Sequence, residues 1–357
     1  MGIKIRNILS SLLIPAVSFV FGLGVALIIA AILDENPLHV LEVLVSGSMG
    51  SATNFGYSLY YATPLLLTGL SVAWAFRAGL FNIGAEGQMA FGGLAMAITG
   101  IECKGLPFYL ALPLAFVAAF LSGGAWGAIA GWIKAKRGCH EVLVTILLNF
   151  VAYGITGFFI LSVFKNPDSQ VPETAPVGLG FQIPAVPFIG GMSPLNCSLL
   201  LSIVMVLVYG FIFRRTKLGF YQKMTGGAPE VGRRAGIDID RQIILAMFIS
   251  GGIAALAAAS PVLGFAMKDR EGFTANAGFV GVAVALLGRN NPVGIMASAL
   301  LFGMLTKGAL DLDLDTDYVT RDLATVIQAL IVLAVASSLG IQTLLSKISV
   351  KSLRKEG

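Results

Sequence analysis

Charge is scarce in this chain. Asp, Glu, Lys and Arg make up 12% of its 357 residues, about half the ~25% of an ordinary soluble domain. Histidine is rarer still, at two residues, and the three cysteines, Cys103, Cys139 and Cys197, form no C-x-x-C pair. No metal site and no cofactor is therefore expected. A G-x-x-x-x-G-K-[ST] phosphate loop is missing, so the chain cannot serve as its own P-loop ATPase. Also missing is the ladder of intramembrane acidic and basic residues that proton-coupled carriers use. The net charge of +5 lies scattered in short loops and forms no patch, which argues against nucleic acid as a partner.

Apolar residues are what the chain has: 56% of it, with 43 glycines. The apolar stretches are mostly 17 to 27 residues long, and a spanning helix needs about 20. A membrane barrel would instead show alternating segments of about ten residues. In lipid every backbone polar group must be satisfied internally, so continuous runs mean helices. The expected fold class is all-α and polytopic, with about ten transmembrane segments in a single membrane domain. Helix 1 covers about 8–33; Lys4 and Arg6 before it imitate a signal peptide, but the run is too long for one and is read as retained. Segment 34–57 is too polar to span and has room for a short surface helix. The next helices are placed at 58–76, 81–101, 107–133 and 142–164, closing a first block of four over 58–164. A loop with six prolines follows at 165–196, then a helix at 197–213 and a charged segment at 214–241. A second block of four, 242–346, has helices at 242–264, 275–288, 293–310 and 323–346.

Orientation follows from the basic residues. With the N-terminus inside, 18 of the 24 Lys and Arg fall in inside segments and six outside. The reverse orientation would invert that bias. Both termini are thus expected in the cytoplasm, with 165–196 and the acidic run Asp311, Asp313, Asp315 and Asp317 outside. Cys103 and Cys197 then share the outer side, either paired or as free thiols. The two blocks start on opposite sides, and each contains one short, glycine-rich, polar-punctuated segment, 81–101 and 275–288. Interrupted segments at matching positions of inverted halves point to a transport pathway.

Four stretches carry the remaining information. Phe81-Asn82-Ile83-Gly84-Ala85-Glu86-Gly87-Gln88 opens an apolar helix with three polar side chains. A carboxylate there either caps its own helix at the membrane surface or is held inside for a mechanical reason. Glu141 opens the next helix, and Asn149, eight residues on, lies on a similar face, turned either to a pathway or to a neighbouring helix. In Gly226-Gly227-Ala228-Pro229-Glu230-Val231-Gly232-Arg233-Arg234-Ala235-Gly236, Pro229 and Glu230 suit the first turn of a helix, the arginines its last turn and Gly236 the position beyond. That spacing predicts a docking helix of about two turns. The last stretch, Gly278-Phe279 to Pro292, has a small-residue face for close packing. Gly123, Gly127 and Gly131 give a further G-x-x-x-G-x-x-x-G packing face.

These motifs resemble the permease subunits of bacterial ABC importers for nucleosides, those working with basic-membrane-protein-type lipoprotein receptors, within the wider group of ribose, galactose and branched-chain amino-acid permeases. Phe81 to Gln88 is similar to the F-N-I-G-x-E-G-Q hallmark, and Gly278 to Pro292 to G-F-x-G-I-A-V-A-L-L-G-x-x-x-P. His140-Glu141-Val142 is similar to a second motif usually starting N-E-V, with His140 the departure, and Gly232 to Ile237 to a coupling segment ending A-x-x-A-G-I. The resemblance implies the type II importer fold, a second homologous permease, ATPase subunits docked on 226–236 and a receptor delivering the solute from outside. Asn82, Glu86, Gln88, Glu141, Asn149 and Phe279 become the residues expected at or near the translocation path. The expected activity is passage of nucleosides, with a sugar or a flavin as the alternative cargo and a self-sufficient carrier or channel as the alternative class.

Overall fold

The computed structural model describes residues 20–186, 192–316, 322, 325–330 and 333. Among these the regular structure is helical, and extended pairing is limited to isolated bridges such as Glu173 with Arg270. In chain order the helices are α1 (Val20–Ile32), α2 (Pro37–Met49), α3 (Ala52–Arg77), α4 (Ala85–Glu102), α5 (Phe108–Arg137), α6 (Glu141–Phe158), α7 (Ser198–Arg215), α8 (Lys217–Gly227), α9 (Pro229–Arg234), α10 (Ile239–Leu256), α11 (Ala277–Leu287) and α12 (Pro292–Asp315). Six of the described helices are long and apolar enough to cross a membrane: α3, α5, α6 with its extension to Val163, α7, α10 with its extension to Ala266, and α12. Most of helix 10 (323–346) and the first part of helix 1 (8–19) lie outside the described residues, as do residues 187–191 and Asp317.

The chain forms two compact units. The larger, Met49–Met304, holds α3 to α11 and the first half of α12. Here α3 and α10 are the inner helices, 72% buried over their apolar windows, whereas α5, α6 and α7 are 28–33% buried and keep broad apolar faces for lipid or a partner. The glycine face of α5 works as its spacing predicts. A side chain at Gly123 would collide with Ala255, one at Gly127 with the Met247 carbonyl, and one at Gly131 would lie 3.0 Å from the Ile244 Cα. Without those side chains α5 and α10 come close enough for van der Waals contact of their backbones, which replaces the absent hydrophobic drive between helices in lipid.

Two helices end in π turns, Phe159–Val163 after α6 and Ala259–Ala266 after α10. The second contains Pro261, which lacks the N–H of a regular helical bond. Leading away from it, residues 267–276 form an irregular turn in which Met267, Ala275 and Asn276 all have positive φ. The long loop after α6 is not free: it is knitted onto this region. Thr174 N donates to Asp269 O at 2.9 Å, Val177 N to Met267 O at 2.9 Å and Ile183 N to Leu263 O at 3.1 Å. Glu173, buried beneath, pairs with Lys268 at 2.6 Å and Arg270 at 2.9 Å. The Lys268 ammonium chiefly holds its pKa down to about 2.

The smaller unit contains described parts of Met1–Ser48 and Leu305–Gly357. Gly308 leaves room for the Leu44 backbone, and His39 reaches Asp315 at 3.0 Å. Two sequence expectations are corrected here and nearby. Asp311, Asp313 and Asp315 sit in the last turns of α12, not in a loop, and Lys307 pairs with Asp311 one turn away. The polar segment after helix 1 holds the short helix α2, as expected, but α3 begins at Ala52 and not near 58, with Ser51 Oγ accepting from Asn54 N at 3.0 Å. Cys103 and Cys197 are free thiols, as is Cys139.

Candidate functional site

The site begins where α3 stops. Gly79, at φ 73°, turns the chain at the end bearing Arg77, Lys134 and Arg289, and residues 80–83 then run non-helically through the protein interior before α4 starts. An open backbone there is tolerable only if protein groups replace the missing helical bonds. The polar residues singled out by the sequence do that. Phe81 N donates to Glu141 Oε1 at 3.4 Å, a long bond, while Glu141 also ion-pairs with Lys134 at 2.9 Å. Asn149 Nδ2 donates to Ile83 O at 3.0 Å, and Asn149 Oδ1 accepts from Gly87 N at 2.9 Å. Asn82 Oδ1 accepts from Gly84 N at 2.9 Å, and its Nδ2 donates to Gln88 Oε1 and to Ser250 Oγ, both at 2.8 Å. Ser250 in turn donates to Ser71 O at 2.8 Å, tying α10 to α3.

Glu86 does something different. It lies in the first turn of α4 and is 1% exposed, so the reading of it as a cap at the membrane surface is corrected. Its carboxylate reaches the start of α11: Oε1 accepts from Asn276 N at 3.1 Å and Oε2 from Gly278 N at 2.6 Å. A side chain on Gly278 would strike the Glu86 backbone. Thr68 on α3 donates to Ala277 O at 2.9 Å on the same turn. With 11 residues α11 is only ~16 Å long, short of the ~30 Å hydrocarbon core. The two interrupted segments therefore meet inside the protein, N-terminus to N-terminus, with one carboxylate shared between them. Both helix dipoles favour a negative charge at that point.

Asn82, Glu86, Gln88 and Asn149 thus form one cluster, and Glu141 anchors the strand leading into it. All are buried; Asn82 and Gln88 bond each other, Asn149 and Glu86 are satisfied by backbone groups, and Glu141 relies on its ion pair with Lys134. Phe279 is not in the cluster: it lies on α11 with 40% exposure. Sequence reasoning missed Ser71, Ser250 and Thr68, which look like ordinary small residues of apolar helices and give no signal. It also missed Arg77 Nη2 donating to Asn290 O at 2.9 Å, with Tyr209 Oη on the same carbonyl at 3.0 Å.

The segment 214–241 carries the expected short helix, α9, with Pro229 at its start, Arg233 and Arg234 in its last turn and Gly236 at φ 81° beyond it. Arg233 pairs with Glu230 at 2.7 Å, and Val231 is exposed. Ahead of it stands an unforeseen helix, α8, capped by Thr216 Oγ1 accepting from Gly219 N at 3.2 Å. Its end touches the start of the broken segment. A Cβ on Gly226 would lie 2.5 Å from Gly79 N and 2.7 Å from Ala78 C. Gly227 and Gly236 have open space around them, and Gly232 packs on Ile239.

A family model for the permease component of the branched-chain amino acid transport system matches residues 54–336. The chain belongs to this permease family. Its relatives include the guanosine ABC transporter permease protein NupP of Bacillus subtilis (strain 168), 34% identical over 96% of this chain and 98% of that one. The nucleoside ABC transporter permease protein NupB of Lactococcus lactis subsp. cremoris is 32% identical over 96% and 95%. The glucose ABC transporter permease protein TsgB13 of Haloferax volcanii is 29% identical over 91% and 87%. The permease is a multi-pass membrane transport component, and the matched residues include the whole cluster around Glu86.

Proposed function

We propose that this permease is the membrane-spanning, non-catalytic subunit of an ATP-driven nucleoside importer. The observation that carries this reading is the likeness, over nearly the whole of both chains, to permeases of guanosine and nucleoside ABC transporters. The basic end faces the cytoplasm, with both termini there, in a bacterial inner membrane. ATP is hydrolysed by separate ATPase subunits, which grip the element Gly226–Gly236, with the exposed Val231 as its apolar contact. A second, homologous permease completes the path, and a lipoprotein receptor hands over the solute at the opposite end.

The contact between Gly226 and Gly79 gives this reading a mechanism. Movement of α8 and α9 by a closing ATPase pushes on the turn that starts the broken segment. The segment is linked by hydrogen bonds to α6, α10 and, through Glu86, to α11, so the push reaches both interrupted helices as rigid bodies. Asn82, Glu86, Gln88, Glu141 and Asn149 act in this scheme as the hinge of the path and not as its lining. A nucleoside is uncharged, which suits a chain so poor in charge. The glucose relative keeps a sugar as the second cargo.

The reading is tested by affinity purification of the tagged permease from mild detergent. Co-purification of an ATPase and a second permease is the expected result. A chain that purifies alone and still carries out solute uptake in vesicles without ATP would make it a self-sufficient carrier.

A further inference from the structure

Beside the Glu86 junction, at the 269–274 turn, is a cavity of about 330 Å³. This falls at the low end of the ~300–1,000 Å³ typical of small-molecule sites. Ala90 of α4, Tyr153, Thr156 and Ile160 of α6 and its extension, and the turn Asp269–Thr274 line it. The turn is irregular yet held in place by its bonds to the 172–177 segment. The Tyr153 hydroxyl faces both Glu86 and Thr274, so the wall of the cavity is also the edge of the hinge.

Asp269 is the anomaly. Its side chain is wholly buried, and neither carboxyl oxygen has a hydrogen-bond partner among the described residues. Its own backbone is fully used, the N–H donating to Thr174 Oγ1 at 3.1 Å and the carbonyl accepting from Thr174 N. Native proteins satisfy nearly all buried polar groups, so an orphan carboxyl in a cavity wall calls for a missing partner. The nearby cations do not supply one: Lys268 and Arg270 are both engaged by Glu173.

We propose that this cavity is a solute station on the permease itself, taking an uncharged nucleoside whose N–H or O–H groups donate to Asp269. The proposal rests on the nucleoside-importer reading and adds to it where in this chain the solute pauses. Ala90, Ile160 and Phe273 offer apolar walls to the faces of a base, and Thr156 and Thr274 offer hydroxyls to the sugar. Burial pushes the Asp269 pKa well above the usual carboxylate range, which suits an uncharged guest. Glu271 on the rim repels a solute carboxylate, and Arg270 in the lining is already engaged by Glu173, which disfavours amino acids. A guest here would press on Tyr153 and the 269–274 turn and thereby on the hinge.

The test uses the assembled transporter in proteoliposomes, with guanosine and uridine as probes and leucine as the control. Asp269→Val removes the orphan carboxyl. If the carboxyl serves only the solute, the variant keeps or raises the melting temperature, while KM for guanosine rises tenfold or more. A second measurement does not depend on that variant folding. In a chain with its three cysteines changed to serine, Glu271→Cys should react with a membrane-impermeant thiol reagent from the receptor side. Guanosine should slow that reaction and leucine should not. Guanosine uptake with an unchanged KM in Asp269→Val, or labelling of Glu271→Cys that guanosine leaves unaltered, would overturn the station while leaving the importer reading intact. A lowered melting temperature in Asp269→Val together with no guanosine protection would assign the carboxyl to folding. Absence of nucleoside uptake by the unmodified transporter would instead defeat the importer reading.

Discussion

Alanine at Gly226 should uncouple the transporter without unfolding it. The added Cβ would lie 2.5 Å from Gly79 N, 2.7 Å from Ala78 C and 2.8 Å from Arg77 O. All three are backbone atoms, so no rotamer change relieves the overlap. Resting contacts are near 3.5–4.0 Å, so α8 must retreat from the Gly79 turn by about 1 Å. Overpacking of this kind costs ~1–3 kcal/mol, which a chain of this size should survive. The retreat opens the direct contact between Gly226 at the end of α8 and the turn that starts the broken segment. We expect nucleoside uptake to fall at least about tenfold, equivalent to ~1.4 kcal/mol, while receptor binding persists and ATP hydrolysis no longer responds to solute. Gly227→Ala separates this contact from the ATPase grip: nothing in the permease lies within 4 Å of its new Cβ, so the Gly226–Gly79 contact survives. Paired measurement of uptake and ATPase activity in proteoliposomes decides the matter. Wild-type uptake in Gly226→Ala would refute transmission through this contact.

Three further outcomes follow from the geometry. Glu86→Ala strips the acceptor from Asn276 N and Gly278 N, leaving two N–H groups without it at ~1–3 kcal/mol each; uptake should drop far more than membrane insertion, read as transport against the amount of correctly inserted chain. Glu173 has a folded pKa of about 2, below its value in an unfolded chain. Its lock on the 165–186 segment should therefore be fully present at neutral pH and lost as pH falls from the ordinary carboxylate range toward 2, seen as growing hydrogen exchange there, and Glu173→Gln should loosen the segment at every pH. Finally, Arg233→Cys should react with impermeant thiol reagents only from the cytoplasmic side, and cysteines placed in 168–171 only from outside.

How much of this could be read from the sequence depends on the reach of each interaction. The α5 glycine face was legible because a three-residue gap between glycines has one steric consequence, and α9 because Pro229 and Gly236 mark its ends locally. The polar motif at 81–88 was legible as a break but not in its purpose. Glu86 meets Gly278 across 192 positions of chain, and no local pattern encodes that meeting. Read locally, a carboxylate in a first turn is a cap for its own helix. Helix α8 escaped notice for the opposite reason: Gly219, Gly226 and Gly227 weaken its propensity, and tertiary packing with the Thr216 cap holds it instead. Asp269 could not be flagged at all, because a charged turn residue looks solvated until the 172–177 segment is folded over it.

The most direct test of the whole account is ATP-dependent uptake of labelled guanosine by proteoliposomes holding the complex that purifies with this permease, in the presence of its receptor. The account predicts uptake that requires ATP hydrolysis, is competed by other nucleosides and is indifferent to leucine. Uptake without ATP, or competition by leucine or glucose in place of nucleosides, would contradict it.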